Sequence, residues 1–317
     1  MRINKVIIIL GVCLSGIWGC NSQPGQTYTD TPTYGEISIV SDETLLPVCD
    51  YEIQVFQGLY TYAKIKPIYL PEREAFKLLL SDSVRFILST RKLLKAEEDF
   101  FASKNFYPRQ REIAKDALAI IVNPDNKDTI ISVETIKDIL TGKIKQWKEV
   151  NKKSKLQNIQ VVFDNQKSST VRYVVDTITK GVPLTTGLSA MDYNKDVINY
   201  VAKNNNAIGI IGVNWVSDRT DSTNLSFLKK IRVAWISKEK IATYKNSYKP
   251  FQAYVALKQY PLTRSIYAIT TEPRQGLASG FAAFLASQRG QLIILKSGIL
   301  PATQPVNIRS VQISNDF

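Results

Sequence analysis

The chain has 317 residues, of which 44% are apolar and 22% charged, and carries a formal net charge of +13. That is ample for a large core and for two lobes, and the composition excludes disorder, collagen and coiled coil. No residue is His, which excludes Ser-His-Asp and Cys-His nucleophile systems and His-based metal sites; no cofactor is implied and no enzyme is expected.

The basic excess suits an anionic ligand, an anionic surface or plain solubility. Zinc-finger spacing, a basic heptad region and an RNP-type aromatic box are all absent from the sequence, so no nucleic-acid partner is expected. Residues 1–5 are basic and residues 6–18 are an uncharged apolar run with the proportions of a secretory signal, too short to span a bilayer comfortably. The run ends at Ile17-Trp18-Gly19-Cys20. A small residue just before Cys at that place resembles a lipoprotein processing site, with Ile17 and Trp18 departing from its usual Leu and small residue. The expectation is a signal peptide over 1–19, acylation of Cys20, and a flexible tether over 20–35 rich in Ser, Thr, Pro and Gly. Cys13 lies inside the signal, which leaves Cys49 alone; it reads as a small buried hydrophobe.

Along the body, residues 36–40 read as a strand and 51–63 as a helix with apolar residues at helical spacing. A strand over 65–70, a helix over 73–81 and a strand over 84–88 follow. This alternation signals an α/β layer with a largely parallel sheet. Residues 117–122 are a continuous apolar run, as in a buried strand. Ser132 opens a helix over 133–140 that stops at Thr141-Gly142. Residues 159–163 read as a strand, 171–178 and 196–203 as helices, and 208–212, 230–236 and 265–269 as strands. A final helix over 277–287 lies near 291–295.

Two stretches look chemical. Ser168-Ser169-Thr170 sits between a strand end and a helix start, where hydroxyls and free N–H groups can converge on one anion; the same residues are also ordinary caps. Ser89-Thr90-Arg91 follows another strand and adds a cation. Ligands of open α/β sheets collect at strand carboxyl ends, so the two stretches are expected to share one site.

Four further segments carry a resemblance: Ile113-Ala-Lys-Asp-Ala-Leu-Ala119 with Ile121-Val-Asn123; Val133-Glu-Thr-Ile-Lys-Asp-Ile-Leu-Thr-Gly-Lys143 with Trp147; Asn206-Ala-Ile-Gly-Ile-Ile-Gly212; and Tyr260-Pro-Leu-Thr-Arg264 with Phe284 and Gly290-Gln291. In their order and spacing they resemble the PstS-type phosphate-binding branch of the periplasmic solute-binding proteins, over roughly residues 36–302. The resemblance implies a type II two-lobe α/β fold. One lobe would combine 36–112 with 246–317, the other would be 113–245, and two hinge crossings would close over a ligand. It also implies phosphate as the ligand, ABC permease subunits as partners, a monomer, and a lipid-anchored position in the cell envelope.

The family's Arg-x-Asp-Gly-Ser-Gly-Thr motif is altered here. Ser168 and Thr170 match, whereas Asp164 stands at the Arg position, Gln166 at the Asp position and Ser169 at the second Gly. A carboxylate there repels a dianion. Arg91, with Lys167 and Arg172 as alternatives, is the expected source of charge, and Thr44 is a loose counterpart of an early family contact. Acids at 42, 43, 72, 74 and 164 leave room for a different ligand on the same fold, one with an amine or a protonated oxyanion. An envelope scaffold without a ligand is the remaining alternative.

Overall fold

A computed structural model describes residues 30–217, 220 and 226–304. The expected signal, Cys20 and most of the tether lie outside the described residues. The strands are β1 (Gly35–Asp42), β2 (Ala63–Leu70), β3 (Phe86–Ser89), β4 (Arg109–Val122), β5 (Ile130–Ser132), β6 (Gln160–Phe163), β7 (Ser189–Ala190), β8 (Ala207–Gly212), β9 (Arg232–Val233), β10 (Trp235–Ser237), β11 (Ser247–Tyr248), β12 (Thr263–Thr270) and β13 (Leu300–Pro301). Ten of them form one sheet in the order β2-β1-β3-β12-β4-β8-β6-β7, with β9 and β13 also on β4; β11-β10-β5 form a smaller one.

The sheet has two halves sharing β4. The first part of β4 pairs antiparallel with β12, from Thr270↔Arg109 to Thr263↔Ala117. The second part pairs with β8, from Leu118↔Gly212 to Val122↔Ile208. Burial changes along the strand accordingly: charged residues alternate with buried ones over 109–116, and every residue from Ala117 to Val122 is buried. Pairing is parallel in the outer strands of both halves and antiparallel around β4 and β12. The expected parallel sheet is therefore mixed, because the two strands passing between the halves run against their neighbours.

Local chemistry sets the helices. Ser132 caps the Val133–Leu140 helix by accepting from Thr135 N at 2.9 Å. That helix ends where Gly142 takes φ +78°, a conformation that favours glycine. The first helix runs Leu46–Leu59, earlier than the apolar spacing suggests, because Pro47 fits a first helical turn. The Lys95–Ala102 helix was not anticipated from the sequence. Toward the end of the chain, Ser287 caps a second helix, Gln288–Lys296, behind Leu277–Leu285.

Several residues that carry the family resemblance perform structural tasks. Trp147 is fully buried and its Nε1 donates to Asn206 O at 3.0 Å. Gln291 donates to Ile113 O at 2.9 Å, and the Tyr260 hydroxyl donates to Leu118 O at 2.6 Å, so both fasten β4. Gly209 permits close packing: a Cβ there would lie 2.9 Å from Ile121 and 3.0 Å from Val197. One large apolar cluster runs through both halves, and a smaller one under the Glu72–Leu80 helix includes Val40, Phe76, Leu79 and Ile87.

Candidate ligand site between the two halves

The carboxyl ends of β1, β2 and β3 face that of β6. β1 ends at Asp42, whose Oδ1 accepts from Thr44 N at 3.0 Å and fixes the turn through Glu43 and Thr44. β6 ends next to Asp164, which begins the turn leading to Ser168, the cap of the short Ser169–Tyr173 helix. These turns meet directly: Thr44 Oγ1 lies 3.2 Å from Ser169 Oγ.

Arg264, on β12, reaches the same point. Its Nη1 donates to Ser169 Oγ at 2.8 Å and its Nη2 to Thr44 Oγ1 at 3.1 Å. Its Nε donates to Asp116 Oδ2 at 2.9 Å, from the neighbouring position on β4. The side chains of Arg264 and Asp116 are 3% and 0% exposed, so water does not screen this pair. One guanidinium thus joins a hydroxyl from each half and is anchored where the halves share a strand.

Carboxylates surround it. Asp164 accepts from Ser168 Oγ at 2.5 Å, from Thr170 Oγ1 at 3.1 Å and from Asn194 Nδ2 at 3.3 Å. Asn194 also donates to Glu43 across the interface. Burial, with Glu72 nearby, pushes the Asp42 carboxyl up to about 6. Burial raises Glu43 and Asp164 to about 7, opposed by hydrogen bonds from Asn194 and Ser168 respectively. Burial also raises Asp116, against the pull of Arg264.

Further out lies a second centre. Glu72 accepts from Thr90 Oγ1 at 3.0 Å, from Ser89 Oγ at 3.4 Å and from Arg172 Nη2 at 3.2 Å. Arg172 Nη2 also donates to Thr90 Oγ1 at 3.1 Å, and Lys167 lies 3.0 Å from Glu74. These contacts rim an open cleft of about 540 Å³ lined by Phe76, Arg91, Glu97 and Val171 among others.

The two hydroxyl stretches expected to share a site do face one another, linked through Glu72 and Arg172. Within them, Ser169 meets Thr44 and Arg264, Ser168 and Thr170 turn to Asp164, and Ser89 and Thr90 turn to Glu72. Arg91 lies at the outer centre, its Nε 3.5 Å from Glu72 Oε1. Its guanidinium donates to both oxygens of Glu97, at 2.7 and 2.9 Å, and lies 3.5 Å from the centre of the Phe76 ring. The positive charge at Thr44 and Ser169 comes from Arg264, while Arg91 and Arg172 flank Ser89 and Thr90 through Glu72; Arg264, Asp116, Asn194 and Asn214 are members that the sequence reading did not single out. Asp116 and Arg264 both fall within segments that carry the family resemblance, but each lies just outside the strand expected from the sequence, among polar neighbours.

The profile of the PBP superfamily domain matches residues 26–289. The chain belongs to the PBP superfamily. It is 26% identical over 215 residues to the phosphate-binding protein PstS of Staphylococcus saprophyticus, covering 66% of this chain and 62% of that protein. Over 228 residues it is 23% identical to the PstS protein of Staphylococcus aureus, covering 71% and 65%. The match thus spans slightly under two thirds of these relatives. Among solved structures, a substrate-binding protein from Clostridium perfringens with bound phosphate is similar at a TM-score of 0.72, with 22% identity over 85% of this chain and all of that one. An ABC-type phosphate transport receptor from Vibrio cholerae is similar at 0.63, with 20% identity over 84% of this chain and all of that one. At these identities the two likenesses establish the PBP fold. The PstS relatives agree with the branch implied by the motifs.

Proposed function

We infer that this PBP-superfamily chain is the extracytoplasmic substrate-binding component of an ABC importer, and that it holds a small phosphate-type oxyanion between two lobes. The lobes are 36–112 with 246–317, and 113–245. The observation that carries this reading is the junction of Thr44, Ser169 and Arg264. Each lobe contributes a hydroxyl to one guanidinium, at the strand ends where ligands of such sheets collect. Hydroxyls and a desolvated guanidinium are the donors an oxyanion requires. Its partners in this reading are phosphate and ABC permease subunits. The protein acts as a monomer, held in the envelope by a lipid on Cys20. The role is binding rather than catalysis in this reading, supported by relatives that are named phosphate-binding proteins.

The carboxylates define the form of the ligand in this reading. A dianion entering beside Asp42 and Asp164 must bring or recruit protons, so phosphate binding strengthens as pH falls from 8 to 6. Calorimetric titration of the protein with phosphate at several pH values checks this. Saturable binding that tightens toward low pH is expected, and absence of binding at every pH would contradict the reading.

A further inference from the structure

The hydrogen-bonding account of the site does not close, and the imbalance has one sign. Four buried oxygens around Arg264 have no hydrogen bond of good geometry: Asp42 Oδ2, Asp116 Oδ1, Asn194 Oδ1 and Asn214 Oδ1. Their residues are between 0% and 1% exposed. Every one is an acceptor. Ser169 does lie beside the Asp42 carboxyl, and the Ala117 and Val213 N–H groups beside that of Asp116. The two amides are oriented by their other ends, because Asn194 Nδ2 donates to Glu43 and Asp164 and Asn214 Nδ2 donates to Thr44 O at 3.1 Å. Exchanging oxygen and nitrogen in either would place a carbonyl oxygen against another acceptor. Buried polar atoms are almost always paired, so four unpaired acceptors in one place call for donors.

These acceptors lie around the donors already described. Asp116 holds Arg264 with one oxygen and leaves the other unpaired, and Asn214 is bonded to the backbone of Thr44, whose hydroxyl accepts from Arg264. A Cβ on Gly212 would lie 3.0 Å from Asn214 Nδ2, 3.5 Å from Asp116 Oδ2 and 3.6 Å from Arg264 Nη2, so these groups share one small space. Asp42, Glu43, Asp116 and Asp164 outnumber the single buried cation there. A bare oxyanion satisfies Arg264, Thr44 and Ser169 and leaves the four acceptors unmet. A bare cation does the reverse. A singly or doubly protonated phosphate brings one or two O–H donors, fewer than the three of an ammonium. Among the described residues no group of three acidic or thiol side chains is arranged to hold a metal ion, which favours N–H donors over a metal.

We propose that the ligand of this site is a small zwitterion, with an oxyanion held by Arg264, Thr44 and Ser169 and a protonated amine on the same molecule whose three N–H groups go to acceptors among Asp42, Asp116, Asn194 and Asn214. The proposal rests on the receptor reading above and narrows its ligand. Binding parts the Thr44–Ser169 contact and puts the oxyanion between the two hydroxyls, while the ammonium takes the acceptors and offsets the surplus of carboxylates.

Calorimetric titration at pH 7 with aminomethylphosphonate, phosphate and methylamine separates the alternatives. The zwitterion is expected to bind about tenfold or more tightly than either single-charge probe, the ratio that one further charge-assisted hydrogen bond provides. Phosphate binding equal to or tighter than aminomethylphosphonate would overturn the zwitterion and leave the oxyanion receptor standing. Methylamine binding as tightly as the zwitterion would overturn both the zwitterion and the oxyanion reading. No binding of any probe would overturn the receptor reading itself. In folded Asp42→Asn protein the preference for aminomethylphosphonate over phosphate should shrink toward unity; an unchanged preference would remove Asp42 from the amine site and overturn the assignment.

Discussion

Two arginines join the halves of this protein, and they do so in different surroundings. Arg264 sits at the hinge, 3% exposed, against an Asp116 carboxylate that is fully buried. Arg172 sits at the mouth of the cleft, 30% exposed, against Glu72 at 4%. Both bond a carboxylate and a threonine hydroxyl, so their chemistry is nearly the same. What differs is access of water. A buried pair leaves a naked charge behind when one member is removed, whereas Glu72, without Arg172, keeps Arg91 and two hydroxyls. The inner arginine is therefore held in the fold, and the outer one bridges the two sides of the cleft at its mouth.

Substitution tests the inner arginine first. Arg264→Met strips Asp116 of its partner and should cost about 3–5 kcal/mol of unfolding free energy, the range for breaking a buried ion pair. Urea denaturation measures it. Pairing the substitution with Asp116→Leu should recover most of the loss; a double variant as unstable as the single would show that the pair does not act as a unit.

pH sharpens the same contrast. Asp42 is held near 6, and Glu43 and Asp164 near 7, above ordinary values of 3.8 for Asp and 4.5 for Glu, chiefly by burial. The folded protein therefore keeps protons that the unfolded chain has released, and its stability falls as pH rises from about 4 to about 7, then more gently to about 9 as Glu52, raised by burial to about 9, follows. Each group contributes about 1.4 kcal/mol per pH unit at most within its window. Asp164→Asn should flatten that slope. A stability that rises steadily across this window would contradict the burial described.

The outer arginine gives the smallest effect. Arg172→Ala should cost about 1 kcal/mol, because Arg172 itself is partly solvated and Glu72 keeps Arg91 and the Ser89 and Thr90 hydroxyls. It should also raise the rate of ligand release by roughly fivefold, the same energy expressed kinetically. Stopped-flow release of bound ligand reads it. A loss as large as that of Arg264→Met would erase the distinction between hinge and mouth.

These contrasts show what was legible in the sequence. The Val133–Leu140 helix was readable because cap, apolar spacing and terminating glycine agree. The first part of β4 was not, because residues 109–116 mix charges with apolar residues on a strand that is half-exposed. The Lys95–Ala102 helix was missed because only Phe101 within it is buried, leaving little apolar periodicity to read. Ser89, Thr90, Ser168, Ser169 and Thr170 were readable as strand-end hydroxyls, and the structure brings them to one interface. Arg91 and Arg264 show the limit. Both are arginines near chemical residues, but Arg91 follows Ser89-Thr90 in the chain and reaches their Glu72 locally, whereas β-sheet register sets Arg264 beside Asp116, 148 residues earlier. Pairing at that separation has no local signal.

The central claim is that an oxyanion occupies the junction of Thr44, Ser169 and Arg264. A crystal structure of the protein grown with phosphate tests it most directly. The account predicts phosphate oxygens within hydrogen-bond distance of both hydroxyls and the Arg264 guanidinium, with Thr44 and Ser169 moved apart to admit them. Phosphate bound only at the outer cleft beside Arg172 and Lys167, with the Thr44–Ser169 contact intact, would contradict it.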